Sequence, residues 1–156
     1  MTKTKFIHED SHRLYILVRN DLPSMNPGRA MAQAAHASNQ LVFKHGKDHR
    51  VVSWQADRGF GTTICLAADR LTIQTAISKA IGGGFLADFV YDPTYKYSID
   101  KEVANFIDPE TWTAPAFFGN NGLVTLFRQE LTCGYIFIHE DHPNRTELLG
   151  KMPLHP

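Results

Sequence analysis

Apolar residues along this chain fall into two kinds of pattern: short dense runs, and longer stretches that repeat at helical spacing. Arg13 to Arg19, Arg-Leu-Tyr-Ile-Leu-Val-Arg, is β-branched and aromatic with apolar residues on both alternating faces, the pattern of a central strand covered on two sides. Thr62 to Ala68 reads as a second buried strand, Leu86 to Tyr91 as a third and Leu131 to Ile138 as a fourth. After the first strand, Asn26 is a good N-cap and Pro27 suits the first helical position, because proline has no N–H to leave unpaired. A helix is predicted from Pro27 to Phe43. Ala30, Ala34, Ala37 and Leu41 form one stripe of it, and Met31, Ala35, Ser38 and Val42 the neighbouring one. Arg70 to Ile81 predicts a second helix with Ile73, Ile77 and Ala80 on one face and Gly82-Gly83-Gly84 as its stop. A short helix is expected near Arg145 to Leu149, and the segment around Trp54 carries no decisive pattern.

Strands separated by helices predict an α/β fold, a three-layer α/β/α sandwich with a mixed sheet of about four strands. The expectation is one domain over residues 1–156, with a polar tail at 1–12 and an insertion at 101–130. Asp92-Pro93-Thr94 is expected to end the third strand. The stretch that follows, about 35 residues with weak periodicity, is long for a connection inside a compact domain.

Composition narrows the picture. A chain of 156 residues, 43% hydrophobic, buries one substantial core but is short for two. Sixteen basic and sixteen acidic residues cancel, so any attraction to nucleic acid must come from a local patch. Apolar runs such as Leu14 to Val18 fall far below the roughly 18 to 20 residues that cross a bilayer. The polar N-terminus lacks the apolar centre of a secretory signal, so a cytoplasmic location is expected. Cys65 and Cys133 lie in strand-like segments and read as buried, reduced thiols.

The chemistry concentrates on the first helix. Arg29, Gln33, His36 and Gln40 fall at i, i+4, i+7 and i+11, which predicts one polar face beginning at the helix N-terminus. Unpaired N–H groups and the positive end of the macrodipole make that place favourable for a phosphate or a developing negative charge. A basic run, Lys44 to Arg50, follows. His139-Glu140-Asp141-His142 holds metal-capable groups, but no separate third ligand motif supports them. The three glycines at 82–84 follow a helix instead of leading into one, so they lack the setting of a phosphate loop. Tyr95, Tyr97, Trp112, Phe117 and Phe118 are candidates either for stacking on bases or for core packing.

Two stretches read together, Leu-Tyr-Ile-Leu-Val-Arg-Asn-Asp-Leu at 14–22 and Met-Asn-Pro-Gly-Arg-Ala-Met-Ala-Gln-Ala-Ala-His-Ala at 25–37, resemble the signature of the type II peptidyl-tRNA hydrolases. In that family a strand ending in Arg-x-Asp-Leu leads through a Met-Gly-Lys-Gly-Lys loop into a helix bearing Ala-Gln-x-x-His-Ala. Arg19, Asp21, Leu22, Met25, Gly28, Ala32, Gln33, His36 and Ala37 fit. Pro27 and Arg29 stand where the loop has lysines, one residue is added between Leu22 and Met25, and the family's Asp-Ala-Gly-x-Thr loop is matched only by the tighter Asp92-Pro93-Thr94.

The resemblance implies metal-independent hydrolysis, without a cofactor, of the ester joining a peptide to the 3′ ribose of tRNA. It makes His36, Arg29, Asp92 and Thr94 the catalytic candidates, and Arg19, Asp21, Gly28, Gln33, Lys44, Lys47 and Arg50 the substrate-binding ones. A histidine ordinarily exchanges protons near neutral pH, as activating a water requires. The implied partner is tRNA, with no membrane, and a homodimer is left open. Two alternatives stay open beside this one: an RNA- or protein-binding module on the same fold without turnover, and a hydrolase of another small ester or amide with 95–127 as its lid.

Overall fold

The computed structural model describes residues 11–100, 117–118 and 123–156, with side chains described for 11–92 and 129–156. Two compact units emerge: residues 1–90 with 133–156, and residues 91–132.

The first unit is built on β1 (His12–Arg19), whose six residues from Leu14 to Arg19 are all buried, as expected of a central strand. β2 (Thr63–Ala68) runs parallel to it in the register Leu14↔Thr63 to Arg19↔Ala68. β1 also pairs antiparallel with β5 (Leu123–His139), Ile16 opposite Tyr135 and Val18 opposite Cys133. With β3 (Leu86–Asp100) the sheet order is β2-β1-β5-β3. The sheet is mixed, as its pattern predicts.

Alternation along β1 and β5 sorts the core into two faces. Leu14, Ile16 and Val18 with Cys133, Tyr135 and Phe137 pack under Ala30, Ala37 and Leu41 of α1 (Pro27–His45) and under Val51 and Trp54 of α2 (His49–Ala56). The opposite face carries α3 (Arg70–Gly82) and α4 (Arg145–Leu149). Gly134 shows how close that second layer lies: a Cβ there would sit 2.9 Å from the Ile77 side chain of α3. Arg145 of α4 donates to the Tyr15 hydroxyl at 3.2 Å, and Lys79 of α3 faces Glu147 of α4 at 3.9 Å. Helices on both faces complete the three-layer α/β/α sandwich. Among the described residues there are four helices, and none is long and apolar enough to cross a membrane.

The C-terminal residues close the outer edge of β2. Ala67 N donates to Pro153 O at 2.8 Å and His155 N to Cys65 O at 3.0 Å, so backbone groups that would invite another strand are already paired.

Several expectations change. Asp92-Pro93-Thr94 does not end the third strand, which continues to Asp100. Proline cannot donate to a ladder, but β3 closes the strand order on its side, where an edge strand tolerates it. The fourth strand begins at Leu123, not Leu131; Arg128-Gln129-Glu130 interrupts the apolar alternation that would have extended the prediction. In the second unit, β4 (Phe117–Phe118) pairs antiparallel with β5 through Phe117↔Thr125 and Phe118↔Val124. Most of the tail at 1–12, residues 101–116 with Trp112, and residues 119–122 lie outside the described residues. The region around Trp54 is helical, with the indole N–H donating to Thr62 O at 2.9 Å. Cys133 is buried and Cys65 half-buried; neither is joined in a disulfide.

Candidate active site

Both parallel strands deliver their chain to the same edge of the sheet, and each is followed there by a helix, α1 after β1 and α3 after β2. In open α/β sheets that carboxyl edge is where ligands find their crevice. The two helix starts are chemically unlike.

α1 begins on a neutral cap. The Asn26 side chain accepts from Arg29 N at 2.9 Å, Pro27 holds the first position without an N–H, and the first turn contains no acid. Ala30 N is taken by Asn26 O, so the Gly28 N–H is the first-turn donor with no acceptor among the described residues. The Arg29 guanidinium donates to the Ser24 hydroxyl, which steadies it beside this turn. Sequence reasoning did not flag Ser24, since a serine five residues before an arginine has no signature of its own.

α3 begins among carboxylates. Asp69 caps it by accepting from Thr72 N at 2.7 Å, and Asp21, from the loop after β1, accepts from Arg70 N at 3.3 Å. Asp21 is also held by Arg19 through paired bonds of 2.8 and 2.9 Å. The Arg19 guanidinium draws the Asp21 carboxyl below the ordinary carboxylate range, and backbone donation by Thr72 does the same for Asp69. Arg19 is 9% exposed. The pair therefore ties the β1 loop to the start of α3 and is engaged in structure.

His36 lies exposed on α1, about 10 Å along the axis from Arg29 at 1.5 Å per residue. The expected four-residue polar face is not uniform. Gln33 is 2% exposed, and its main-chain carbonyl accepts from the Cys133 thiol at 3.5 Å, while the Gln40 side chain donates to Phe89 O at 3.1 Å. The true buried stripe is Ala30, Gln33, Ala37 and Leu41, and Met31 of the predicted second stripe is 69% exposed. Gln33 sits only about 40° around the helix from Arg29, close enough to the sheet side to be covered.

The basic run is divided. Lys44, in the last turn of α1, is in an ion pair with Asp88, Lys47 is exposed in the short loop, and Arg50, in the first turn of α2, is clamped on Asp48 at 2.9 and 2.6 Å. That guanidinium holds Asp48 far below the ordinary carboxylate range. Asp92 and Thr94 belong to the second unit, on β3, and not to a loop. At the 139–142 cluster, His139 Nδ1 accepts from Asp141 N and His142 Nδ1 from Asn144 N, both at 3.1 Å, so the two rings brace turns.

Comparison with known proteins places the chain in a family. Residues 12–105 match the family described as peptidyl-tRNA hydrolase PTH2. No curated protein matches the chain. A solved structure of a protein of unknown function, Atu0240 from Agrobacterium tumefaciens strain C58, superposes with a TM-score of 0.53 at 10% identity, covering 94% of this chain and 98% of that one, which supports the fold alone.

Proposed function

Because the chain belongs to the peptidyl-tRNA hydrolase PTH2 family, we propose that it hydrolyses the ester between a peptide and the 3′ ribose of tRNA, releasing both. The observation that carries this reading is the family match itself: it spans β1, α1, α2, β2, α3 and β3, and so includes Arg29, His36, Asp92 and Thr94.

In this reading a water attacks the ester carbonyl carbon while His36 takes its proton. The electron pair collects on the carbonyl oxygen, and collapse of the intermediate expels the 3′ ribose oxygen, which leaves with a proton. Negative charge is present on the RNA backbone throughout and on the carbonyl oxygen transiently. The Gly28 N–H, the positive end of α1 and the Arg29 guanidinium, about 10 Å along the helix from His36, are the groups suited to meet the RNA backbone. The proposed reaction uses no metal, and turnover is expected to survive chelation. A cytoplasmic setting fits a substrate made by translation.

One observation favours a second reading. Arginine keeps the charge of the family's loop lysine but does not share a proton in the same way, and Pro27 removes the other amine. A fold that binds tRNA without turning it over would accept both changes. Labelled peptidyl-tRNA separates the two: release of free tRNA by the wild type supports the hydrolase, and binding without release supports the module.

A further inference from the structure

α1 and the turn after α2 present two large aromatic rings to solvent. Phe43 is 90% exposed and Phe60 is 68% exposed, and both line one concavity of about 490 Å³ with Ser38, Asn39, Trp54 and Gln55. Burial of each ring would be favourable by roughly 1.5 to 3 kcal/mol, so leaving both in water needs a reason.

The backbone around Phe60 is shaped to put it there. Arg58 takes φ +56°, the left-handed region that a non-glycine residue rarely adopts, between Asp57 and two glycines that are also left-handed, Gly59 and Gly61. Gly61 has no alternative, because a Cβ there would lie 2.2 Å from the Trp54 ring. With Gly61 pressed on the indole, the preceding ring points outward. Arg58, 65% exposed, stands 5.8 Å from the Phe60 ring centroid in a cation–π arrangement.

Cations lie close to the two rings in sequence although the whole chain is neutral. Between Ser38 and Thr62, Lys44 pairs with Asp88, Arg50 with Asp48 and Arg58 with Asp57, solvent-facing ion pairs that are weak and can turn to a phosphate, while the exposed Lys47 and the 91% exposed His49 stand beside them. Exposed rings interleaved with cations suit unpaired nucleotides, whose bases stack on any π-face while the backbone meets the positive groups.

We infer that Phe43 and Phe60 form a stacking platform for the unpaired bases at the 3′ end of the tRNA substrate. Ala32, His36, Asn39 and Phe43 follow one another at i, i+4, i+7 and i+11 and are all exposed, so an RNA end stacked at Phe43 lies on the same side of α1 as His36. The inference rests on the peptidyl-tRNA reading for the identity of its ligand but not for its chemistry.

The test uses the intact protein, a short unstructured oligoribonucleotide and the same sequence in a duplex. Wild type should bind the single strand more tightly than the duplex. Phe43→Ala and Phe60→Ala should each raise Kd about tenfold, and Phe60→Trp should restore binding. Both rings are exposed, so circular dichroism should report an unchanged fold. Alanine variants that bind the single strand like wild type overturn the inference. So does a change in oligomeric state on sedimentation without a change in RNA binding, which would make the patch a contact between copies. Hydrolysis assays keep the two readings apart. A raised KM for peptidyl-tRNA at unchanged kcat supports both. Turnover insensitive to the two rings sinks the platform alone, while ring-dependent RNA binding by an enzyme without turnover sinks the hydrolase alone.

Discussion

α1 and α3 start at the same edge of the sheet, each after a parallel strand and each with a side-chain cap, yet they end up as opposites. The start of α3 is filled by its own chain: Asp69 caps it and Asp21 reaches across to Arg70 N. The start of α1 is capped by a neutral amide, carries no acid and keeps Arg29 beside a spare Gly28 N–H. A helix N-terminus is therefore not a site by virtue of being one. The macrodipole is shared by both, and the capping chemistry decides whether it is spent within the fold or left for an anion.

Charge reversal tests that contrast most strongly. Arg29→Glu should lower kcat/KM for peptidyl-tRNA about a hundredfold, on the scale of losing a phosphate donor. Arg70→Glu, at the saturated start of α3, should leave it within about twofold. Equal losses in the two variants would mean that only overall charge matters and would erase the distinction.

Stability should show the reverse asymmetry. Asp21→Asn removes the charge that Arg19 clamps and weakens the bond to Arg70 N, and is expected to cost about 1 to 3 kcal/mol. Asn26→Asp keeps the cap of α1 and should leave the melting temperature almost unchanged, while weakening tRNA binding by placing a carboxylate where the phosphate is wanted. Urea unfolding and tRNA binding of both variants check this.

Acid sharpens the comparison by a third route. Asp21, Asp69 and Asp48 have folded pKa values below the ordinary 3.8, so the stability they contribute is present above that value and is lost as pH falls through their folded values. The first turn of α3 should thus lose hydrogen-exchange protection on acidification, read at Thr72 N–H, before that of α1, read at Arg29 N–H. Simultaneous loss would mean that global unfolding, not the local caps, sets the response.

The smallest effect concerns the sheet beneath α1. Tyr135 is fully buried, and among the described residues its hydroxyl has no hydrogen-bond partner; burial first, and then the Asp88 charge, push its phenol well above the ordinary value. Because the folded value is raised, its stabilisation is complete below pH of about 10 and fades above it. Tyr135→Phe should be neutral or stabilising by up to about 1 kcal/mol, and should flatten the alkaline limb of the stability curve.

What the sequence disclosed followed from local chemistry. Asn26-Pro27 marks a helix start wherever it stands before a periodic stretch, and the predicted and observed starts coincide. Arg145–Leu149 and the glycine stop after α3 were readable for the same reason. α2 was not, since eight residues give barely two turns in which a period can show. Gln33 was assigned outward because it is polar, whereas the packing of α1 decides its burial. The partners of Lys44 and Gln40, at Asp88 and Phe89, come from a distant stretch of chain that no spacing rule connects to α1. Within the site, the capped start with Arg29 and the helix bearing His36 were legible. The carboxylates that close the neighbouring helix, and the continuation of β3 through Pro93, required the fold.

Single-turnover hydrolysis of labelled peptidyl-tRNA by wild type and His36→Ala tests most directly whether α1 is the hydrolytic helix. The exposed imidazole should be removable without unfolding, and its loss should slow ester cleavage by about a hundredfold or more while leaving tRNA affinity within about twofold. Cleavage by His36→Ala at the wild-type rate would contradict that role.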